Sequence, residues 1–184
     1  MRKIVYYVAI SLDGFIEGVG GDISGFVAQG SGVDQYLRDL QDYDTVIMGR
    51  KTYEFGYQYG LEPGKLAYAH MSHYIFSETL QLEVKDDRLH VCPMDIDVVR
   101  KLKEETGTDV YLCGGGQFAS WVLKHQLIDQ IKIKLNPVVL GQGTRIFEGL
   151  EGQYHLCLLD QKQYDDGLVI MTYDVQYAPK PESP

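Results

Sequence analysis

From Asp109 to Trp121 the chain reads Asp-Val-Tyr-Leu-Cys-Gly-Gly-Gly-Gln-Phe-Ala-Ser-Trp, a short apolar strand, a triple-glycine turn and the start of an amphipathic helix. Glycines at 114, 115 and 116 remove the Cβ atoms that would hold a ligand away from the backbone. The helix that follows aims its unpaired N–H groups and positive dipole end at that turn, an arrangement suited to a pyrophosphate. Thr45-Val-Ile-Met-Gly-Arg-Lys-Thr-Tyr53 repeats the plan, with two cations beside Gly49. Two strand-to-helix anion sites in 184 residues point to a dinucleotide cofactor.

The periodicity around these turns sets the fold class. Lys3 to Ile10 is a nearly continuous apolar run, as expected of a strand buried on both faces. Asp13 to Gly32 is a glycine-rich loop, long enough to act as a lid. Val33, Tyr36, Leu37 and Leu40 recur at helical spacing, and strands are expected at Thr45–Met48, His73–Ser77 and Leu89–Cys92. Gly56 to Ser72 reads as a short helix and a loop. Asp95 reads as an N-cap and Gly107 as a stop for a helix carrying Val98, Val99 and Leu102. This alternation of strand and helix favours a parallel sheet.

After Val122 the pattern changes. Ile131, Ile133 and Leu135 alternate with Lys132 and Lys134, which predicts a strand with one wet side or a place near an edge. Tyr154–Gln161 and Leu168–Tyr177, joined by Tyr164-Asp-Asp-Gly167, read as an antiparallel hairpin. Residues 1–177 are expected to form one domain, and 178–184, with three prolines, a disordered tail.

Several classes are disfavoured. A net charge of -9 argues against nucleic acid and anionic membranes as partners. Met1–Val8 lacks a signal peptide's apolar core, and no run is long enough to span a bilayer, so a cytoplasmic location is expected. Cys92, Cys113 and Cys157 are scattered without a C-x-x-C pair, and the histidines lack metal-ligand spacing, so no metal is expected. Gly114 to Ala119 matches G-x-G-x-x-A, but so late in the chain that too little sequence remains for a Rossmann domain.

Three blocks, Val8-Ala-Ile-Ser-Leu-Asp-Gly-Phe-Ile16, Val46-Ile-Met-Gly-Arg-Lys-Thr-Tyr-Glu54 and Val110-Tyr-Leu-Cys-Gly-Gly-Gly-Gln-Phe118, resemble the dihydrofolate reductase superfamily. Together with Leu135–Phe147 they are most similar to its branch containing the C-terminal reductase domain of the riboflavin-pathway deaminase/reductase. The deaminase zinc signature is missing. The resemblance implies a three-layer α/β fold with a mixed, mainly parallel sheet of about eight strands, closed by the antiparallel C-terminal hairpin. It also implies NADPH as cofactor, a small-molecule substrate and a homodimer.

Carried over by position, the resemblance assigns Gly49, Arg50, Lys51 and Thr52 to the cofactor phosphate and Ser77 to the adenosine phosphate. Gly114, Gly115, Gly116 and Gln117 match the turn at the pyrophosphate and nicotinamide ribose, and Ala9 and Ile16 the nicotinamide pocket. Asp13 is a turn residue and a candidate for substrate contact. Asp34, on the first helix, is the candidate proton-donating acid, although it stands one residue closer to Gly49 than the family spacing. Asp22 has a lesser claim. The expected activity is NADPH-dependent reduction of a small polar substrate such as 5-amino-6-(5-phosphoribosylamino)uracil. The alternatives are dihydrofolate reduction and non-catalytic NADPH binding.

Overall fold

The computed structural model describes residues 1–177; the expected tail, 178–184, lies outside the described residues. Ten strands and four α-helices run in the order β1 (Ile4–Ile10), β2 (Phe15–Glu17), α1 (Ser31–Leu40), β3 (Thr45–Gly49), α2 (Arg50–Phe55), β4 (Ser72–Phe76), β5 (Leu89–Cys92), α3 (Ile96–Glu104), β6 (Val110–Gly114), α4 (Gly116–Lys124), β7 (Gln130–Leu135), β8 (Thr144–Arg145), β9 (His155–Gln163) and β10 (Val169–Gln176). Eight of the strands form one sheet in the order β5-β4-β3-β6-β1-β7-β10-β9. The strands from β5 to β7 are parallel, while β10 runs antiparallel to both β7 and β9.

The sheet separates two cores, which makes the molecule three-layered. On one face Val99 and Leu102 of α3 and Phe118, Ala119 and Val122 of α4 pack against Ile4, Tyr6 and Ile47. On the other, Leu40 of α1 and Tyr53 of α2 meet Val5, Tyr7, Val46 and Met48. Each such fully buried aliphatic side chain is worth roughly 1.5–3 kcal/mol relative to exposure. The near-continuous apolar run of β1 follows from this burial on both faces, since Ile4 to Val8 are all buried. The Asp95 carboxylate caps α3 by accepting from the Asp97 N–H at 2.9 Å, as expected of an N-cap.

Two local expectations are corrected. The Asp13–Gly32 segment is not wholly irregular: β2 forms an antiparallel ribbon with β8, pairing Phe15 with Arg145. Residues far apart in sequence form this ribbon, so no local periodicity announces it. Nor is β7 wet or marginal. It lies between β1 and β10, and its lysines fold under α1, leaving Lys134 only 7% exposed. A period of two here separates an aliphatic face from a face of lysine stems, both covered.

Gly143, next to β8, has φ +143, and an added Cβ would fall onto the Glu17 carbonyl oxygen. Gly143→Ala is therefore expected to destabilise the protein by more than ~1 kcal/mol in denaturant unfolding. A variant as stable as the wild type would show that the ribbon yields at no cost.

Candidate active site

The parallel strands β1, β3, β4 and β6 all end along one edge of the sheet, which brings Ala9, Gly49, Ser77 and the glycine turn together. This is the crevice outside the carboxyl ends of strands where open α/β sheets bind ligands. It opens into a cleft of about 840 Å³. Ala9, Ile16, Gly49, Arg50, Lys51, Thr52, Ser77, Gly115, Gly116 and Gln117 line it, so ten residues assigned to the cofactor meet in one cavity. Gly114 stands behind the lining, and its peptide bond to Gly115 is cis.

The three glycines do different work. Gly114 has φ +136, a region that side chains disfavour. A Cβ on Gly116 would fall onto the carbonyl oxygen of Arg145. At Gly115 an added Cβ would lie 3.2 Å from Thr52 Oγ1 and 3.9 Å from Ile16 Cδ1, so a side chain there would crowd two cleft-lining residues. The segment Leu135–Phe147 is thus the platform beneath the turn. It is fastened there by the Tyr6 hydroxyl, which donates to the Ile146 carbonyl at 3.1 Å.

At the other strand-to-helix junction, Arg50 and Lys51 open α2. The Arg50 guanidinium stands 3.7 Å from the Glu54 carboxylate one turn on, which gives it a local partner that the sequence reading did not count. Tyr53, from the same helix, is buried and donates to the Lys65 carbonyl at 2.8 Å, anchoring the following loop. The Ser77 hydroxyl oxygen accepts from Thr79 and Leu80 N–H groups at 3.0 and 2.9 Å, so this side chain shapes its own turn at the cleft wall.

The carboxylates are placed differently from the cofactor residues. Asp34 is exposed on α1 and is not among the residues lining the cleft, whereas Val33, Tyr36 and Leu37 of the same helix are. Its odd spacing from Gly49 in the sequence has this geometric counterpart. Asp13 is also outside the lining: its carboxylate accepts from the N–H groups of Leu140 and Gly141 at 3.1 and 2.7 Å. A hydrogen bond from Ser11 and these two amides hold its pKa down at about 2. Asp22 accepts from the Ser24 N–H at 2.8 Å and organises the loop around itself.

The second half of the cleft escaped the sequence reading. Tyr7 of β1, Tyr36 of α1, Tyr111 of β6, Tyr68, Phe26 and Lys134 form it. The Tyr36 and Tyr111 hydroxyls are 3.0 Å apart, and the Tyr68 hydroxyl lies 3.6 Å from Cys113 Sγ. Burial pushes all three phenols and the thiol above their ordinary values, so they are neutral hydrogen-bonding groups at pH 7. Tyr7 donates to Asp39 at 3.0 Å, and Asp39 also accepts from Lys132 at 2.6 Å. Burial by itself would raise Asp39, but the hydrogen bonds from Lys132, Gln35 and Tyr7 outweigh it and hold the carboxyl below its usual value.

The family model of the RibD C-terminal domain matches residues 2–170. Two uncharacterized proteins of Bacillus subtilis strain 168 are similar over nearly their whole length. YyaP is 28% identical over 182 residues, covering 94% of each chain. YwjB is 32% identical over 164 residues, covering 89% of this chain and 92% of its own. Among solved structures, a putative riboflavin biosynthesis protein from Shewanella sp. PV-4 superposes with a TM-score of 0.79 at 22% identity, covering 96% of this chain and all of that one. A dihydrofolate reductase from Enterococcus faecalis, complexed with NADP(H), superposes with a TM-score of 0.66 at 11% identity, covering 95% and 97%. The fold is therefore dihydrofolate-reductase-like, as the sequence blocks implied.

The Asp13 clip is testable by pH. Its folded pKa of about 2 lies below the unfolded value of 3.8, so its contribution is present above pH 3.8 and is lost as pH falls toward 2. Asp13→Asn should lower Tm at pH 7, and the deficit should close across that window. A deficit unchanged down to pH 2 would refute the assignment of the charge to this clip.

Proposed function

The chain belongs to the RibD C-terminal domain family, and from that premise we propose that it is an NADPH-dependent reductase of the riboflavin-type branch. Residues 1–177 act as one reductase domain in this reading. The observation that carries it is the convergence of ten residues from four strand ends, two helix starts and β2 on one cleft that also holds Tyr7, Tyr36, Tyr68 and Tyr111. The residues present fit the cofactor. Arg50 and Lys51 would hold the 2′-phosphate, Thr52 and Ser77 its neighbouring oxygens, and Gly115, Gly116 and Gln117 the pyrophosphate beside the start of α4. Ala9 and Ile16 would wall the nicotinamide.

Bound NADPH supplies the hydride, and the protein supplies orientation and exclusion of water. The β2 ribbon and the segment after it contribute Ile16, Glu17, Ile23, Phe26 and Val27 to the cleft, which fits their role as a cover over the nicotinamide. The hydride acceptor is a small polar compound, with 5-amino-6-(5-phosphoribosylamino)uracil the first candidate. Dihydrofolate is the less favoured substrate, because Asp34, the acid that reading relies on, lies outside the lining. Cys92, Cys113 and Cys157 are free thiols, in keeping with a cytoplasmic enzyme.

The reading includes a homodimer. Strand β9 is exposed along its whole length, with Leu156, Leu158 and Leu159 at 42, 47 and 50%. By register, one face of β10 and β9 carries Met171, Tyr173, Val175, Leu156, Leu158, Gln161 and Gln163, with no charged residue. In a chain of net charge -9, such a face lets two copies meet without like-charge repulsion.

Two measurements test these statements. Trp121 packs on Phe118 and Phe76 beside the cleft and reports binding through its fluorescence. The wild type should bind NADPH more tightly than NADH, and Arg50→Ala with Lys51→Ala should weaken NADPH about tenfold or more while leaving NADH unaffected. An unchanged preference rules out the phosphate assignment, and no binding of either nucleotide rules out the reductase. By light scattering the wild type should have the mass of a dimer and Leu156→Glu/Leu158→Glu that of a monomer; a monomeric wild type removes the dimer.

A further inference from the structure

Lys132 and Lys134 leave β7 on the same face, two residues apart, and meet different fates. Lys132 closes an ion pair with Asp39 at 2.6 Å, and its ammonium sits 4.7 Å from the centre of the Tyr7 ring. Lys134 is more deeply buried, at 7% exposure. Among the described residues it has no ion-pair partner and no hydrogen bond to its ammonium, which sits 4.9 Å from the centre of the Tyr36 ring. The carboxylate that acts on it electrostatically, Asp166, is engaged elsewhere, accepting from the N–H groups of Gly32 at 2.8 Å and Leu168 at 3.1 Å. Lys134 lines the cleft.

The Lys134 stem is buried while its ammonium faces the cleft without a counter-ion, and the partial desolvation pulls its pKa below the ordinary value. Packing does not account for it, because an aliphatic side chain would fill the same space without the charge. The position does. Lys134 stands directly opposite Ala9 in the β1–β7 register, and Ala9 is the nicotinamide wall of the proposed cofactor site. The cleft's own carboxylates lie elsewhere: Glu17 accepts from the Thr144 hydroxyl on the β2–β8 ribbon, and Glu148 stands by Gly116.

We propose that Lys134 is the substrate-recognising cation of the cleft, binding an anionic oxygen on a flat conjugated substrate held among Tyr7, Tyr36 and Phe26. The oxygen is a carboxylate or an enolate-type ring oxygen carried close to the carbon that accepts hydride, not a phosphate at the far end of a long tail. The inference deepens the reductase reading and rests on it for the identity of the occupant as the hydride acceptor. It also inverts the charge expected from the first-helix acid of dihydrofolate reductases. Here the fixed charge facing the substrate is positive and comes from the sheet.

The probes are orotate, a flat conjugated ring with one carboxylate, and its neutral methyl ester, titrated calorimetrically with and without saturating NADP+. Wild type should prefer orotate by about tenfold or more, as expected for a charge-assisted hydrogen bond in a desolvated site. Lys134→Met should lose that preference, keep its affinity for NADP+ and melt close to wild type, since it keeps the buried stem's volume and removes a charge that has no ion-pair partner among the described residues. Arg50→Ala/Lys51→Ala should retain the orotate preference, which separates this site from the cofactor's cations. Crystals of the wild type soaked with orotate should place its carboxylate within hydrogen-bonding distance of Nζ, a readout that does not depend on any variant folding. Failure of orotate to bind, equal binding of the ester, an unaltered preference in Lys134→Met or a carboxylate seated away from Nζ each overturns the proposal. Failure of NADP+ to bind while the Lys134-dependent preference persists overturns the reductase reading instead.

Discussion

The pairing of β3 with β6 as parallel neighbours is the constraint on which the rest of the molecule depends. Each strand turns straight into a helix at its C-terminal end, and the register places Met48 opposite Gly114. The two turns are therefore held side by side at one edge of the sheet. The contact is close: a Cβ on Gly49 would lie 3.3 Å from that of Phe118, the third residue of α4. The next strands out, β1 beside β6 and β4 beside β3, bring Ala9 and Ser77 to the same edge. A cleft built in this way is a property of the sheet's backbone, and it leaves individual side chains free to vary.

Around that frame most of the charged groups near the cleft are satisfied internally, and Lys134 stands apart from them. Asp13 clips the β1–β2 turn to the segment after β7, Asp166 organises the hairpin turn, and Asp39 neutralises Lys132 beneath α1. His73 is fully buried and held neutral, its pKa pulled down to about 4 mainly by burial, with its Nε2 accepting from the Tyr68 N–H at 3.2 Å. These groups repay their desolvation with hydrogen bonds. Lys134 has only the Tyr36 ring beside its ammonium, and a cleft-facing charge without a counter-ion is where a ligand's charge is wanted.

The parts that could be read from the sequence are those whose signal is local. A glycine after an apolar strand and before a helical stripe specifies a turn whatever surrounds it, so Gly49 and Gly115 were found along with the residues beside them. The Asp95 cap and the hairpin turn at Tyr164–Gly167 were legible for the same reason. The tyrosine half of the cleft was not. Tyr7, Tyr36, Tyr68 and Tyr111 come from three separate elements and a loop, and each alone looks like core. Alternating lysines on β7 look like a wet face because sequence does not show that α1 covers them.

The sequence by itself determined the order of the main sheet's strands and of the helices, the two glycine turns and the family pattern, because each follows from backbone freedom and hydrophobic period within a short window. Only the tertiary structure decided which charges other than Arg50 and Lys51 face the cleft. It set Asp13 and Asp34 outside the lining and Lys134 within it, through pairings such as Ala9 with Lys134 and Phe15 with Arg145 that join residues more than a hundred positions apart. The environment of a charge depends on what packs over it, and that is settled when the sheet closes, not along the chain.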